Sequence, residues 1–525
     1  MGAEAVRLSS PKAELVLYRA NVITMEPGMP RAQAVAVRGG NIVGVGSEAE
    51  VEAFIGPGTR LFDCRGRALV PGFEDAHIHI FAFAASLLAV DCGPASVKSI
   101  ADIQARLAAR ASESPPGTWI RAGGYNEFYL AERRHPTRWE LDQVTPHHPV
   151  RLSHRSGHAS VLNSLALSLV GISAQTPEPA GGMIDRDERG EPTGLLFDME
   201  GYLGERVPPL GEEEMSHALR LANRQYLAWG ITSLQDASAT NDLGRWQAFA
   251  RFKDEGVLTP RVTMMLGAHA LAQIQGQGLR PGSGGEGLRL GAVKLAIGET
   301  SGWLHPSQEE LNAVALAAHR AGWQLAFHAV EEGTVAAAAN AIEHCLKEVP
   351  RAHHRHRVEH CSVCPPPLQE RLRCLGALVV TQPSFIYYSG ERYLAEVPPS
   401  QLRWLYPIRS FLERGLRLAA GSDAPVVAPN PLIGVYAAAT RRASSGQALS
   451  PEEAVSPLEA LAMYTRAAAY ACFQEGVRGS IAVGKVADLA LLSHDPTAVP
   501  PEQLKEMAVE MTMVGGVVVW ERSVV

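Results

Sequence analysis

The sequence has few cysteines and begins without a long apolar stretch. Its 525 residues include seven cysteines. They are scattered and odd in number, so we expect free thiols in a reducing compartment rather than a disulfide framework. The segment Met1–Val22 carries charged residues, Glu4 and Lys12 among them, and therefore lacks the apolar core of a secretory signal. These features predict a cytoplasmic protein.

Membrane-spanning runs and basic tracts are also missing. The longest apolar stretches, such as Ile80–Val90 with Ser86 inside it, are far shorter than the ~20 residues that cross a bilayer. No Lys/Arg-rich tail is present and the formal net charge is −7, so neither a membrane nor a nucleic acid is an expected partner. The length suits one large barrel with an accessory domain. We expect a small-molecule substrate. The sequence leaves open whether the protein forms a homodimer.

Both ends of the chain are rich in short β-type segments. They are Leu15–Val22, Ala34–Val37 and Asn41–Val45 at the start, and Ser480–Ile481, Ala487–Leu492 and Gly516–Trp520 at the end. Gly39-Gly40 predicts a turn between two of them. Each end has too few strands to bury a face alone. We therefore predict that residues 1–71 and 474–525 form one small β-sandwich domain.

The middle of the chain alternates apolar strands with helices. The strand candidates are Ala68–Val70, Ile231–Leu234, Val262–Leu266, Ala292–Ile297, Leu325–His328, Arg357–His360, Leu378–Thr381 and Leu418–Gly421. Helical patterns such as Gln308–Ala321 and Glu331–Leu346 separate several of them. This alternation predicts an α/β fold, a (β/α)8 TIM-like barrel over residues 72–473. The first two strands are about 160 residues apart, so we assign residues 95–215 to an insertion in the first βα loop.

Two histidines end the segment Pro71–His79. Because strand side chains alternate, His77 and His79 share one face, where two imidazoles can chelate a metal ion. In a chain with 18 histidines, such a pair alone fits a structural role equally well.

Four further residues with suitable chemistry lie at or near the C-terminal ends of later strands. They are Lys294, His328, His360 and Asp423. Barrel enzymes keep their catalytic groups at that end. In chain order, neighbouring members of this set are 34, 32 and 63 residues apart, which corresponds to one, one and two βα steps. Each residue alone has an ordinary explanation, such as a lysine that reaches solvent or an aspartate that caps a helix. Six such residues at regular barrel spacing favour a shared site.

The motifs of this chain resemble those of the amidohydrolase superfamily, in its amidohydrolase 3 branch, which is YtcJ-like and N-substituted formamide deformylase-like. The matching segments follow the family's order: residues 71–79, 157–167, 181–196, 230–237, 293–296, 327–329, 357–360, 381–385, 421–426 and 479–492. The resemblance implies that His77 and His79 bind one metal ion, and that His328 and His360 bind a second. It also implies that a carboxylated Lys294 bridges the two ions, and that Asp423 ligates a metal and serves as the base. Two zinc ions are the implied cofactors.

This ligand set is chemically consistent. Two cations need anionic ligands, and a neutral lysine amine becomes anionic only as a carbamate. A bound metal lowers the pKa of water from about 15.7 towards about 7, and Asp423 could take the proton and return it to the leaving nitrogen. The implied enzyme is a metal-dependent hydrolase that uses metal-activated hydroxide on a carbon–nitrogen bond other than a peptide bond, in an N-acyl, N-formyl or cyclic amide.

Two other functions stay open. A lactone or ester hydrolase could use the same site, since the activated nucleophile attacks either carbonyl. A non-catalytic amidohydrolase-like protein is the other, and lost metal ligands would be its signature. All six candidate ligands are present in this chain.

The sequence departs from the family pattern beside the candidate ligands. Family members commonly have Asp-Gly four and five residues after the lysine, where this chain has Gly298 and Glu299. They also tend to have Ile-Gly-Asp after the fifth-strand His-Ala, where this chain has Val330-Glu331-Glu332. These changes put any specific family substrate in doubt.

The predicted insertion contributes three weaker candidates for substrate contact, His158, Tyr125 and Asn126. His158 belongs to a Gly-His pair that the family shares, although a structural role fits it equally well. The pair Cys361 and Cys364 lies beside His360 but lacks the second ligand pair of a zinc knuckle and a thioredoxin context. We interpret these two cysteines as ordinary thiols.

Overall fold

The centre of the molecule is a nearly closed eight-stranded parallel barrel. The structure is a computed structural model that describes residues 12–179, 181–300 and 303–523. Barrel strands one to eight are, in chain order, Phe73–Ile78, Ile231–Asp236, Arg261–Gly267, Leu288–Ala296, Leu325–Ala329, Arg357–His360, Leu378–Thr381 and Arg417–Ala420. Each strand pairs with the next, and strand eight lies beside strand one. The predicted barrel is confirmed.

The sequence prediction of the first barrel strand was wrong. The segment Ala68–Pro71 pairs with Leu489–Leu492 and Asn21–Ile23 in a sheet outside the barrel. The barrel begins after Gly72, at Phe73–Ile78, which is buried along its whole length. A Cβ on Gly72 would lie 2.3 Å from the side chain of Thr232. Two consecutive buried strands show no alternation in a single sequence, so the pattern did not reveal the boundary between them.

Helices surround the barrel and connect its strands. They are Ile80–Ser86, Glu212–Ala228, Leu243–Asp254, Leu271–Gly276, Gln308–Arg320, Glu332–Glu348, Pro366–Cys374, Ser384–Glu396, Pro399–Leu402, Ile408–Glu413, Pro431–Thr440, Pro457–Met463 and Arg466–Ala471. Ser307 and Glu310 form a capping box that fixes the start of one predicted helix. A short hairpin of Gly298–Thr300 and Trp303–His305 follows strand four. Within the described residues, no helix has the length and hydropathy needed to cross a bilayer.

The segment between barrel strands one and two forms a sheet with its own apolar core. Its strands, in spatial order, are Met183–Arg186, Pro192–Phe197, Ala159–Leu162, Val150–His154, Ile120–Tyr125 and Val90–Asp91. Its helices are Ile100–Glu113, Arg138–Asp142, Ser164–Leu169 and Glu200–Gly204. The sheet begins at Val90, five residues before the predicted insertion. Arg155 connects it to the barrel, since Nε donates to the Val426 carbonyl at 2.9 Å and Nη1 to the Tyr388 carbonyl at 3.0 Å.

The two ends of the chain together build two further sheets. One contains Asn41–Gly46, Ala34–Arg38, Leu15–Tyr18 and Arg60–Asp63, with the helix Glu48–Glu52 beside it; the other contains Val517–Glu521, Val509–Val514, Leu489–Leu492, Ala68–Pro71, Asn21–Ile23 and Arg31–Ala32. Leu17 of the first sheet and Leu491 of the second belong to one apolar core. Arg19, at φ +51°, divides the predicted strand Leu15–Val22 into two. Ser480–Ile481 forms no strand.

Candidate metal centre at the barrel mouth

Three potential ligands converge where barrel strands one and eight end. His77 is in strand one, His79 immediately precedes the next helix, and Asp423 follows strand eight. One donor atom from each lies within 4.8 Å of the other two. Asp423 Oδ1 is 3.0 Å from His79 Nε2 and 3.5 Å from His77 Nε2. The Asp423 amide donates to the His77 carbonyl at 2.7 Å, which ties the two strand ends together.

The other three predicted ligands adjoin this group. Lys294 Nζ, from strand four, is 3.4 Å from His77 Nε2. The imidazole centroid of His360 lies 4.7 Å from that of His77 and 4.4 Å from that of His328. The structure thus brings all six predicted residues to one mouth of the barrel. Their ligation of a metal stays a prediction.

Two of the six residues have a left-handed backbone. His360 has φ +67° and Asp423 has φ +58°. Such a conformation costs about 1–3 kcal/mol in a residue other than glycine, and it concentrates at functional sites. Strand six ends at His360, and Asp423 lies three residues after the end of strand eight.

Three of the four histidines are held by hydrogen bonds through Nδ1. His77 Nδ1 is 2.5 Å from Glu359 Oε2, His79 Nδ1 is 3.0 Å from Ser238 Oγ, and His360 Nδ1 is 2.8 Å from Gln382 Oε1. This arrangement reserves Nε2 for a metal, as outer partners of metal-binding histidines do. His360 Nε2 is buried and has no hydrogen-bond partner among the described residues. Since buried polar atoms are rarely unpaired, the donor set fits a cation.

Burial sets the protonation of the cluster. Desolvation lowers the pKa of His77 and of His328 well below the usual histidine value, reinforced by Lys294 at His77 and by His360 at His328. Desolvation also lowers the pKa of Lys294 to about 8. Burial opposes the ionisation of Asp423, but its hydrogen bond with His79 and the nearby imidazoles outweigh burial and hold its pKa below the usual value. Burial therefore favours the neutral forms of His77 and His328, beside the ionised carboxylate of Asp423.

A polar chain runs from His77 into the barrel interior. Glu359 of strand six accepts hydrogen bonds from His77 and from Arg357, whose Nη2 is 3.0 Å away. Arg357 also donates from Nη1 to Gln235 Oε1 at 2.5 Å and from Nη2 to the Ala76 carbonyl at 2.7 Å. His77, Glu359 and Arg357 are at most 1% exposed. Arg357 thus neutralises the carboxylate that orients His77.

The chain continues to the loop after the last barrel helix. Gln235 Nε2 donates to Glu74 Oε1 at 2.8 Å, and Arg478 donates from Nε and Nη2 to the two Glu74 oxygens, each at 3.0 Å. Each buried charge therefore has an opposite partner, which limits the cost of desolvation. These buried polar contacts were not predicted from the sequence. A carboxylate within the fully buried strand Arg357–His360 was the signal that could have revealed it.

Of the three weaker candidates, the structure brings one to the mouth. The ring of His158 lies 6.3 Å from that of His328, and its Nδ1 is 2.7 Å from Asp198 Oδ1. Tyr125 is fully buried in the insertion, where its hydroxyl bonds His135 Nδ1 at 2.8 Å. Asn126 is also buried and accepts from the Phe128 amide at 2.9 Å, which starts the short 3-10 turn Glu127–Tyr129.

The residues that depart from the family pattern have distinct positions. Glu331 is the N-cap residue of the helix Glu332–Glu348 without a side-chain capping bond, and both glutamates lie at the helix N-terminus, where the helix dipole stabilises negative charge. Gly298 starts the hairpin after strand four. The side chain of Glu299 lies outside the described part of the structure. Cys361 and Cys364 are both buried as free thiols.

Comparison with known proteins places the chain in a family. The sequence profile of the amidohydrolase family matches residues 60–520. The N-substituted formamide deformylase of Arthrobacter pascens is 31% identical, over 97% of this chain and 99% of that protein. The protein YtcJ of Bacillus subtilis (strain 168) is 29% identical, over 96% and 98%. An uncharacterized metal-dependent hydrolase from Pyrococcus horikoshii OT3 shares the fold, with a TM-score of 0.75, 24% identity, and coverage of 93% and 99%. The profile spans the whole barrel, and this chain belongs to the amidohydrolase family.

Proposed function

We propose that this protein is a metal-dependent hydrolase that cleaves an amide-like C–N bond outside peptides, in an N-acyl, N-formyl or cyclic amide. The observation that carries the proposal is the cluster of four imidazoles, one lysine and one carboxylate at the barrel mouth, in which the buried His360 Nε2 has no partner among the described residues. The similarity to an N-substituted formamide deformylase supports the class of bond.

The chain's own residues would hold two divalent ions, with zinc the proposed metal. His77 and His79 would bind one ion, His328 and His360 the other, and Asp423 would contribute its carboxylate. When bound, the metal supplies Lewis acidity, which polarises a carbonyl and lowers the pKa of water to about 7. The hydrogen bonds at Nδ1 of three of these histidines orient their rings before any ion arrives.

Lys294 is proposed to act as a carbamate. Its amine is buried within 3.4 Å of His77 Nε2, where a positive ammonium would repel a cation. Burial lowers the pKa of Lys294 to about 8, which increases the fraction of neutral amine. That amine would form an N–C bond with CO2 and release a proton, and the product carries the negative charge that two cations require.

Asp423 is the proposed base. The hydrogen bond with His79 favours its ionised form, so the carboxylate can accept a proton from water and deliver it to the departing nitrogen. His158 lies near His328 at the mouth, with Nδ1 held by Asp198. We propose that this exposed histidine contacts the substrate.

A metal analysis combined with a substrate panel tests the proposal. The protein would be loaded with zinc, its metal content measured, and turnover compared for N-alkylformamides, N-acyl amines, cyclic amides and lactones. We expect metal-dependent release of amine from at least one amide class. Turnover of lactones alone would reassign the function to ester hydrolysis, and full activity of metal-free protein would contradict the proposal.

A further inference from the structure

Two adjoining cavities lie at the end of the barrel opposite the metal centre. The larger, of about 660 Å³, lies between the starts of barrel strands seven and eight and the helices Pro457–Met463 and Arg466–Ala471. The smaller, of about 430 Å³, shares part of its wall. Four residues line both cavities: Leu378, Leu416, Arg417 and Tyr470. The proposed hydrolysis uses neither cavity.

The two cavities differ in chemistry. The larger has a mostly apolar wall, formed by Leu378, Val379, Leu412, Leu416, Leu418 and Met463, among others. The smaller is lined by four arginines, Arg351, Arg355, Arg373 and Arg417, and by no carboxylate of the described residues. One region of the surface thus combines a mostly apolar cavity with an adjacent basic cavity.

Two of the four arginines already have carboxylate partners. Arg355 Nη2 is 2.6 Å from Glu475 Oε1, and Arg373 Nη2 is 2.5 Å from Glu370 Oε1. Arg351 uses its guanidinium on backbone carbonyls, including that of Trp323 at 3.0 Å. It forms no ion pair with another residue of the described chain.

Arg417 is the cation that the two cavities share. Its guanidinium lies 4.1 Å from the ring centre of Tyr470, which holds it by a cation–π contact. Across the described segments it has neither a hydrogen-bond acceptor nor a carboxylate partner for its side chain. Its planar set of N–H donors therefore remains available for a carboxylate, which such a fork binds through two bonds.

The acidic residues of the larger cavity are already engaged. Glu26 pairs with Lys485 at 3.1 Å, Glu475 pairs with Arg355, and Glu459 accepts from Ser456 Oγ at 2.7 Å in its own helix cap. None of them is in ion-pair contact with Arg417 or with Arg466, the second arginine that lines the larger cavity, although Glu475 interacts with Arg417 electrostatically at longer range. The pair of cavities therefore suits a ligand that has an apolar body and a negatively charged end.

The geometry points to one binding site for a medium-chain carboxylate, with the alkyl chain in the larger cavity and the carboxylate on Arg417. Burial of the chain supplies most of the affinity, because an ion pair with an exposed arginine contributes little. Arg417 supplies the preference for an anion over a neutral molecule of the same length. The site shares no residue with the metal centre and lies at the other end of barrel strand eight from Asp423.

Calorimetric titration of the whole protein with octanoate, 1-octanol, acetate and phosphate tests this site. We expect octanoate to bind with 1:1 stoichiometry, several-fold more tightly than 1-octanol, and acetate and phosphate to show no comparable binding. Arg417→Gln should remove the preference for octanoate over 1-octanol. Arg373→Gln is the matched control, since this arginine lines the same cavity but is paired with Glu370, and it should preserve the preference.

Two further variants locate the binding. Ala467→Phe fills part of the larger cavity and should weaken both octanoate and 1-octanol at least tenfold, with circular dichroism and thermal melting used to verify folding. Asp423→Asn, at the metal centre, should leave octanoate binding unchanged. The proposal is overturned if octanoate fails to bind at millimolar concentration, if phosphate binds equally well, or if Asp423→Asn abolishes binding while Arg417→Gln does not.

Discussion

His77 and Glu359 are joined by a buried contact of 2.5 Å between imidazole Nδ1 and carboxylate Oε2. Barrel strands one and six supply the two residues, and Arg357 neutralises the carboxylate from two positions away on strand six. The contact fixes the imidazole with Nδ1 protonated, so that Nε2 is left as the proposed ligand atom. It is the carboxylate–histidine pair that supports many metal sites.

Glu359→Gln should therefore weaken metal binding. The neutral amide is a poorer acceptor for His77 Nδ1–H and leaves Arg357 without its counter-charge. We expect the metal affinity, measured by competition with a chromophoric chelator, to fall by about 10–100-fold. Glu370→Gln removes an exposed glutamate that also pairs with an arginine, and it should retain wild-type affinity. Unchanged affinity in Glu359→Gln would show that the contact has no effect on the site.

Substitutions of Lys294 test the carbamate. Lys294→Ala should lose metal and activity together, and short carboxylic acids added to this variant should restore part of both. Lys294→Arg should stay inactive because a guanidinium places positive charge among the ligands, whereas Lys294→Glu should keep some metal. If Lys294 only pairs with a neighbouring acid, Lys294→Arg should be tolerated and Lys294→Glu should be damaging. Metal stoichiometry and turnover of the three variants decide, and a fully metallated, active Lys294→Arg protein would refute the carbamate.

Asp423→Asn tests the role of Asp423 as a base separately from its effect on stability. The amide nearly preserves side-chain volume but cannot accept a proton from water. We expect kcat to fall by about 10²–10⁴-fold, with the thermal unfolding temperature of the metal-free protein little changed. Metal content should be measured beside kcat, because the carboxylate is also a proposed ligand. An active, fully metallated Asp423→Asn protein would remove Asp423 from the base role.

The stability of the metal-free protein should decrease in mild acid. His356 Nδ1 accepts from the Leu325 amide at 3.0 Å, and its Nε2 is 2.8 Å from His319 Nδ1. Burial lowers the pKa of His356 well below the usual histidine value. Between the folded pKa and about 6.5, the unfolded chain binds more protons, so stability falls as the pH decreases through this window, by at most about 1.4 kcal/mol per pH unit for each such histidine.

Urea unfolding from pH 8 to pH 5 measures this effect. His356→Asn should be less stable at pH 8, because it loses the ring contacts, and should show a smaller pH slope than the wild type. His353→Asn changes an exposed histidine of the same segment and should keep the wild-type slope. Equal slopes in His356→Asn and the wild type would mean that other groups produce the pH dependence.

The sequence predicted the positions of the six candidate ligands better than it predicted the residues that hydrogen-bond to them. The six residues recur at strand ends with βα spacing, which depends only on the periodicity of a barrel. Their partners do not follow from spacing: Glu359 and His77 are 282 positions apart, and their contact depends on which strands face each other across the interior. For the same reason, the sequence pattern around Tyr125 suggested contact with a substrate, whereas its aromatic ring packs into the apolar core of the insertion.

The sheet that contains Ala68–Pro71 has a consequence for how this protein is made. Leu69 pairs with Leu491, which leaves the ribosome more than 400 residues later. At about 5–20 residues per second, this apolar strand waits tens of seconds for its partner. His77 and His79 wait almost as long for Asp423. We expect the nascent chain to depend on chaperones until Leu491 emerges, and loading of the proposed metal to wait until Asp423 has left the ribosome.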